Sequence, residues 1–267
     1  MGNDDPQSIL TRGAPPADLT VAYGDDAEQV IDLRLPVSGQ RGPLIVFLHG
    51  GFWMAEYDRA HVGPLAADLA AGGYPVACLE YRRIGQPGGG WPGTLADVAA
   101  GLSAVSWLFG GLVSSSVDLV RPIVAGHSAG GHLALWVATR GLADASSLVR
   151  AVLALAPVAD LRRAYELGLG DGAVGELLGG GPDDVPDRYA MADPAAQRPP
   201  PVPTVIVHGL ADDRVPVEIG REYAQSAAAA GADVTCVELE DTDHFAVIDP
   251  MSAAWPTVRS VFDGLAG

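Results

Sequence analysis

Residues Gly126-His127-Ser128-Ala129-Gly130 constrain this chain more than any other stretch. The apolar run Pro122-Ile123-Val124-Ala125 leads into them. His132-Leu133-Ala134-Leu135-Trp136-Val137-Ala138 leads out, with the composition of a buried helix. A strand that turns into a helix through G-x-S-x-G holds its serine on a strained turn at the strand's carboxyl end. Gly126, Ala129, Gly130 and Gly131 are the small neighbours such a turn needs. The same pattern, taken alone, also describes a plain glycine-rich turn. The rest of the chain decides between the two.

Eight short segments read as strands. Residues 19–23 and 29–35 flank Gly24-Asp25-Asp26 and suggest an antiparallel hairpin. Residues 43–48, 75–81, 122–125, 149–155 and 204–207 are near-continuous apolar runs of the kind buried on both faces. Residues 233–239 make the eighth strand. Helical spacing appears at 59–71, from about 94 (Leu95, Val98, Ala99, Leu102, Val105), after Ser128, at 217–230 and at 251–265. Strands that alternate with helices predict an α/β fold: a mostly parallel eight-stranded sheet, antiparallel at its N-terminal edge, with helices on both faces. Residues 160–201 are rich in glycine and proline and read as a small lid insert. Residues 1–18 read as a flexible leader and 19–267 as a single domain.

Composition removes several classes of function. The formal net charge is -17, and the 16 basic residues are all arginine. Such a chain repels polyanions, which argues against nucleic acid and anionic membrane as partners. No apolar run reaches membrane-spanning length, and Met1-Gly2-Asn3-Asp4-Asp5-Pro6 lacks the apolar region of a secretory signal. The expected location is cytoplasmic. Cys78 and Cys236 fall in strands far apart in the expected order and read as buried free thiols. A small-molecule substrate is the expected partner, with a homodimer left open.

Acyl transfer by serine needs a base for the hydroxyl proton, an acid to orient that base, and donors for the developing oxyanion. In a sheet of this kind the order is serine, carboxylate, histidine, each at the end of a strand. Asp212 lies in the loop after 204–207, and His244 in the loop after 233–239. Asp213 and Asp160 are rivals for the acid, whereas Asp241 and Asp243 read as solvated loop charges. His61 and His132 fall on helices, His127 reads as structural, and His49 and His208 end strands and organise loops. The expected oxyanion donors are the amide of Ala129, at a helix N-terminus, and amides of the loop Gly50-Gly51-Phe52.

These motifs resemble the α/β-hydrolase superfamily over nearly the whole chain from about Leu19. His49-Gly50-Gly51-Phe52-Trp53, Gly126-His127-Ser128-Ala129-Gly130-Gly131 and Asp243-His244-Phe245 are similar to the kynurenine formamidase (arylformamidase) group and its esterase-like and lipase-like relatives. The resemblance implies a Ser128–Asp212–His244 triad and hydrolysis of an N-formyl aromatic amide without metal or cofactor. A carboxylesterase or deacylase on a short ester is the alternative, and a non-catalytic binding protein on the same fold a distant one. Phe52, Trp53 and Trp91 suit a flat substrate, or else pack the base of the insert.

Overall fold

The computed structural model describes residues 6–36, 42–109, 121–139 and 149–267. Its sheet runs β1 (Leu19–Ala22), β2 (Val30–Arg34), β3 (Ile45–Leu48), β4 (Val76–Leu79), β5 (Ile123–His127), β6 (Ala151–Leu155), β7 (Thr204–Gly209) and β8 (Val234–Leu239). The spatial order is β1-β2-β4-β3-β5-β6-β7-β8. β1 pairs antiparallel with β2, and β2 antiparallel with β4; the remaining pairs are parallel. The expected eight-stranded sheet with one antiparallel edge is therefore present.

The apolar runs are continuous because both faces of the central strands are covered. Val46, Leu48, Val124, Val152 and Ala154 point into one core, and Ile45, Phe47, Ile123, Leu153 and Leu155 into the other. That division is the two-residue period of a strand. The first core receives α2 (Gly93–Phe109), α3 (Ala129–Thr139) and α7 (Val217–Ala229). The second receives α1 (Gly63–Ala71) and α8 (Trp255–Ala266). The helical signal at 59–71 resolves into a 3₁₀ turn, Arg59–Val62, followed by α1. Pro64, in the first turn of α1, favours starting the α-helix there.

The insert between β6 and β7 carries α4 (Leu161–Glu166), α5 (Leu169–Leu178) and α6 (Pro186–Ala192). Val174, Leu177, Leu178, Tyr189 and Ala192 bury themselves in the first core, so the insert is anchored. Gly170, Asp171 and Gly172 interrupt α5 with left-handed backbone.

One expectation fails. The leader is ordered over part of its length: Pro6–Thr11 is a 3₁₀ turn, and Ile9 is fully buried in the second core. The turn is too short to show a period in sequence, and only tertiary contacts reveal it. Both cysteines are free thiols; Cys78 is buried, as expected, and burial pushes its thiol up to about 12, whereas Cys236 is only half-buried.

Candidate active site

β5 ends at His127, α3 begins at Ala129, and Ser128 alone makes the turn between them. Its φ is 56°, a left-handed conformation that a non-glycine residue holds only under constraint. The constraint is visible. The Ser128 N–H donates to Leu155 O at 2.8 Å, and the Ser128 carbonyl accepts from His132 N and Val158 N. A side chain at Gly130 would meet the carbonyl oxygens of Leu48 and His49 at 2.1 and 2.4 Å, so the helix packs against β3 only with glycine there.

The loop after β3 lies directly against this turn. A Cβ on Gly50 would sit 2.9 Å from His127 O and 3.1 Å from Ser128 Cβ. Gly51, Phe52 and Trp53 all have positive φ, which folds the loop over the serine. His49 anchors it: Nδ1 lies 2.9 Å from Gly50 O and Nε2 lies 2.7 Å from Glu80 Oε1. Tyr81 stacks on the His49 ring and donates its hydroxyl to His49 O at 2.7 Å. Glu80 is fully buried, but charge and hydrogen bonding from His49, the charge of Arg83 and the Arg59 amide outweigh burial and hold its carboxyl down at about 2.

The other side of the site is built on the ends of β7 and β8. His244 Nδ1 donates to Asp212 Oδ2 at 2.7 Å. Asp212 Oδ1 accepts from the amides of Arg214 and Val215 at 2.9 and 2.8 Å. His208 Nε2 lies 2.9 Å from Val215 O and 3.2 Å from Asp212 Oδ2, so it braces the same loop from below. Burial of Asp212 opposes ionisation, yet hydrogen bonds from His208, His244 and Val215 hold its carboxyl well below the usual carboxylate range. His127 Nε2 donates to His244 O at 2.9 Å and so ties the histidine loop to the residue beside Ser128. Asp243 accepts from the amides of Phe245 and Ala246, which makes it a brace of that loop and not the solvated charge expected.

The rivals for the acid separate cleanly. Asp160 caps α4 by accepting from Arg163 N at 2.7 Å. Asp213 is exposed and lies 3.5 Å from Arg214.

Ser128 and His244 line one cavity of about 230 Å³, with Gly51, Phe52, Met54 and Tyr57 on one wall and Phe245 on another. Among the described residues, His244 Nε2 and the amides of Gly51, Phe52 and Ala129 have no hydrogen-bond partner within the protein. Gly50 and Ala129 lie buried behind the lining.

Two of the expected substrate contacts are not in the cavity. Trp53 is fully buried in the core, edge-on to His132 at a centroid distance of 5.2 Å. Trp91 packs against the same core and donates its amide to Leu177 O at 2.7 Å, joining the glycine-rich loop to the insert. Phe52 does line the cavity. His61, read as a helix residue with a surface or packing role, lines it too, and burial pushes its pKa down to about 4.

Residues 31–226 match the BD-FAE family model. The chain belongs to the BD-FAE family of esterase-like α/β-hydrolases. The match includes the His49 loop, Ser128 and Asp212, and ends before His244. Among curated proteins, the kynurenine formamidase of Drosophila melanogaster is 30% identical over 54% of this chain and 47% of its own length. This chain thus spans about half of that relative. The acetyl-hydrolase of Streptomyces hygroscopicus is 27% identical over 87% of this chain and 76% of its own. Among solved structures, a truncated carbohydrate esterase from gut microbiota superposes with a TM-score of 0.77 at 20% identity, over 96% of this chain and 99% of that one. That likeness establishes that this BD-FAE chain has the esterase α/β-hydrolase fold.

Proposed function

We propose that this protein is a serine hydrolase of small acyl substrates. The observation that carries the reading is the 2.7 Å bond from His244 Nδ1 to Asp212. It fixes the tautomer that leaves Nε2 unprotonated in the cavity that Ser128 also lines. Ser128 Oγ attacks the substrate carbonyl and passes its proton to His244 Nε2. Asp212, held ionised by its donors, stabilises the imidazolium that forms. The unengaged amides of Gly51, Phe52 and Ala129 are the donors for the oxyanion. His244 then returns the proton to the leaving group, and a water it activates releases the acyl group from Ser128.

The bond we favour is an N-formyl aromatic amide. The formyl group is the smallest acyl group, and Phe52, Tyr57 and Phe245 place three aromatic side chains along the cavity that an aromatic amine would enter. A short-chain ester is the second reading, supported by the acetyl-hydrolase relative, which aligns over most of both chains. Turnover of N-formylkynurenine and p-nitrophenyl acetate, with Ser128→Ala as control, separates the two. Formamide turnover equal to or faster than ester turnover, and lost in the variant, is expected. Ester turnover alone assigns a carboxylesterase, and turnover that survives in Ser128→Ala overturns the serine mechanism.

A further inference from the structure

The N-terminal 3₁₀ turn does more than cover the core. Gln7 and Leu10 lie one turn apart in a helix with three residues per turn, so they share a face. Both line the cavity that holds Ser128 and His244. Ile9, between them, is fully buried in the second core and fixes the turn to the body of the protein. Just beyond the turn, Arg12 grips Asp249 with two guanidinium nitrogens, one of them 2.9 Å from Oδ2, and also donates to Ser8 Oγ at 3.1 Å. Asp249 lies five residues after His244, just past the 3₁₀ turn Ala246–Ile248. The segment is therefore pinned at one point to the core and at another to the chain that carries the histidine.

We propose that residues 6–12 are a clamped strap that limits the size of the substrate group beside Ser128, with Leu10 as the specificity-determining side chain. The inference builds on the proposed hydrolase reading but concerns the shape of the cavity. Leu10, Phe52, Met54 and Phe245 are the large apolar side chains in a lining that also holds Gln7, Glu56, His61 and Arg214, so the group that meets Leu10 is an alkyl or aryl portion of the substrate. Both partners of the clamp lie outside residues 31–226. The strap is thus a feature of this chain beyond the segment that the family model describes. An apolar pocket discriminates by about 10- to 200-fold for each methylene it admits or refuses, so one leucine is enough to set a chain-length limit.

The test uses the full chain with p-nitrophenyl acetate, butyrate, hexanoate and octanoate, in the wild type, Leu10→Ala and Leu10→Trp. Binding of octanoate to the same three proteins by titration calorimetry supplies a readout that needs no turnover. Leu10→Ala is expected to raise the octanoate-to-acetate ratio of kcat/KM by about tenfold, mainly through KM, and to tighten octanoate binding. Leu10→Trp is expected to move both the other way. Arg12→Ala, which frees the clamp and leaves Leu10 in place, is expected to broaden the profile. Three superimposable profiles from folded, active proteins overturn the strap and leave the hydrolase reading standing. Octanoate binding that follows residue 10 in a protein that hydrolyses neither ester nor N-formyl amide supports the strap and counts against that reading.

Discussion

Two acid–histidine pairs stand on either side of Ser128, and they differ in one respect. Glu80–His49 and Asp212–His244 each close at 2.7 Å, and each sits at the end of a parallel strand. In the first, both side chains are fully buried and both imidazole nitrogens face oxygens, Gly50 O and Glu80 Oε1. No nitrogen is left to exchange a proton with a ligand. In the second, only Nδ1 is engaged, and the ring borders the cavity. Pairing with a carboxylate therefore does not mark a base; a second nitrogen open to the substrate does. The sealed pair braces the loop that carries the Gly51 and Phe52 amides, and in the proposed mechanism the open pair is the proton-transfer element.

Breaking each pair should give opposite signatures. His244→Ala is expected to lower kcat by roughly 10⁴-fold or more, with the melting temperature nearly unchanged, as for loss of a base from a serine triad. Glu80→Ala leaves His49, Arg83 and the Arg59 and Tyr81 amides without their shared acceptor. Breaking a buried ionic cluster from one side costs about 3–5 kcal/mol, so its main effect should be on stability, seen by urea or thermal unfolding. If Glu80→Ala unfolds at the wild-type midpoint while its activity falls as far as that of His244→Ala, the division of labour proposed for the two pairs is wrong.

The open pair was legible in the sequence because its parts carry local signatures. Ser128 sits in a five-residue motif, Asp212 follows the apolar run of β7, and His244 follows β8, a half-exposed strand of alternating residues. The sealed pair was half legible: His49 reads as a loop organiser, but nothing near Glu80 in sequence announces that four residues converge on it. The aromatic residues show the limit most clearly. Phe52 and Trp53 are neighbours with similar left-handed backbone, yet one side chain borders the cavity and the other is sealed under His132. Adjacent positions on a tight loop point in different directions, and no periodicity reports which way. The strap failed to register for a related reason, since one buried isoleucine in a six-residue turn has no pattern to read.

Acid titration should sharpen the contrast between paired and unpaired histidines. His132 is fully buried, donates Nε2 to Ala192 O at 2.9 Å, and has no acceptor for a proton on Nδ1. Burial pushes its pKa down to about 4 from an ordinary value of 6.5. Between those values the unfolded chain binds the proton and the folded chain does not, so His132 removes stability as pH falls through that window. The maximum slope is about 1.4 kcal/mol per pH unit. Asp193 works in the opposite sense, because burial raises its pKa to about 6 and lets the folded state hold a proton that the unfolded state releases. The difference between variants isolates the histidine. His132→Leu should flatten the decline in stability between pH 6.5 and 4, measured by urea unfolding at each pH. An unchanged slope rules out His132 as its source.

The smallest expected effect is also the strictest check on which acid serves His244. Asp212 and Asp213 are neighbours, and a shift of one residue in the loop exchanges them. Their surroundings do not exchange. The Asp212 side chain is fully buried and collects two amides, His208 and His244. The Asp213 carboxylate is 78% exposed and has only a 3.5 Å approach to the half-exposed Arg214. Exposed pairs of that kind contribute about 0–1 kcal/mol. Asp213→Asn should therefore leave kcat/KM within about twofold of wild type, while Asp212→Asn should lose roughly 10⁴-fold in kcat by releasing His244 to the wrong tautomer. Equal losses in the two variants would mean that the loop carries its charge collectively, and the single 2.7 Å bond would no longer explain how His244 is made ready to accept a proton.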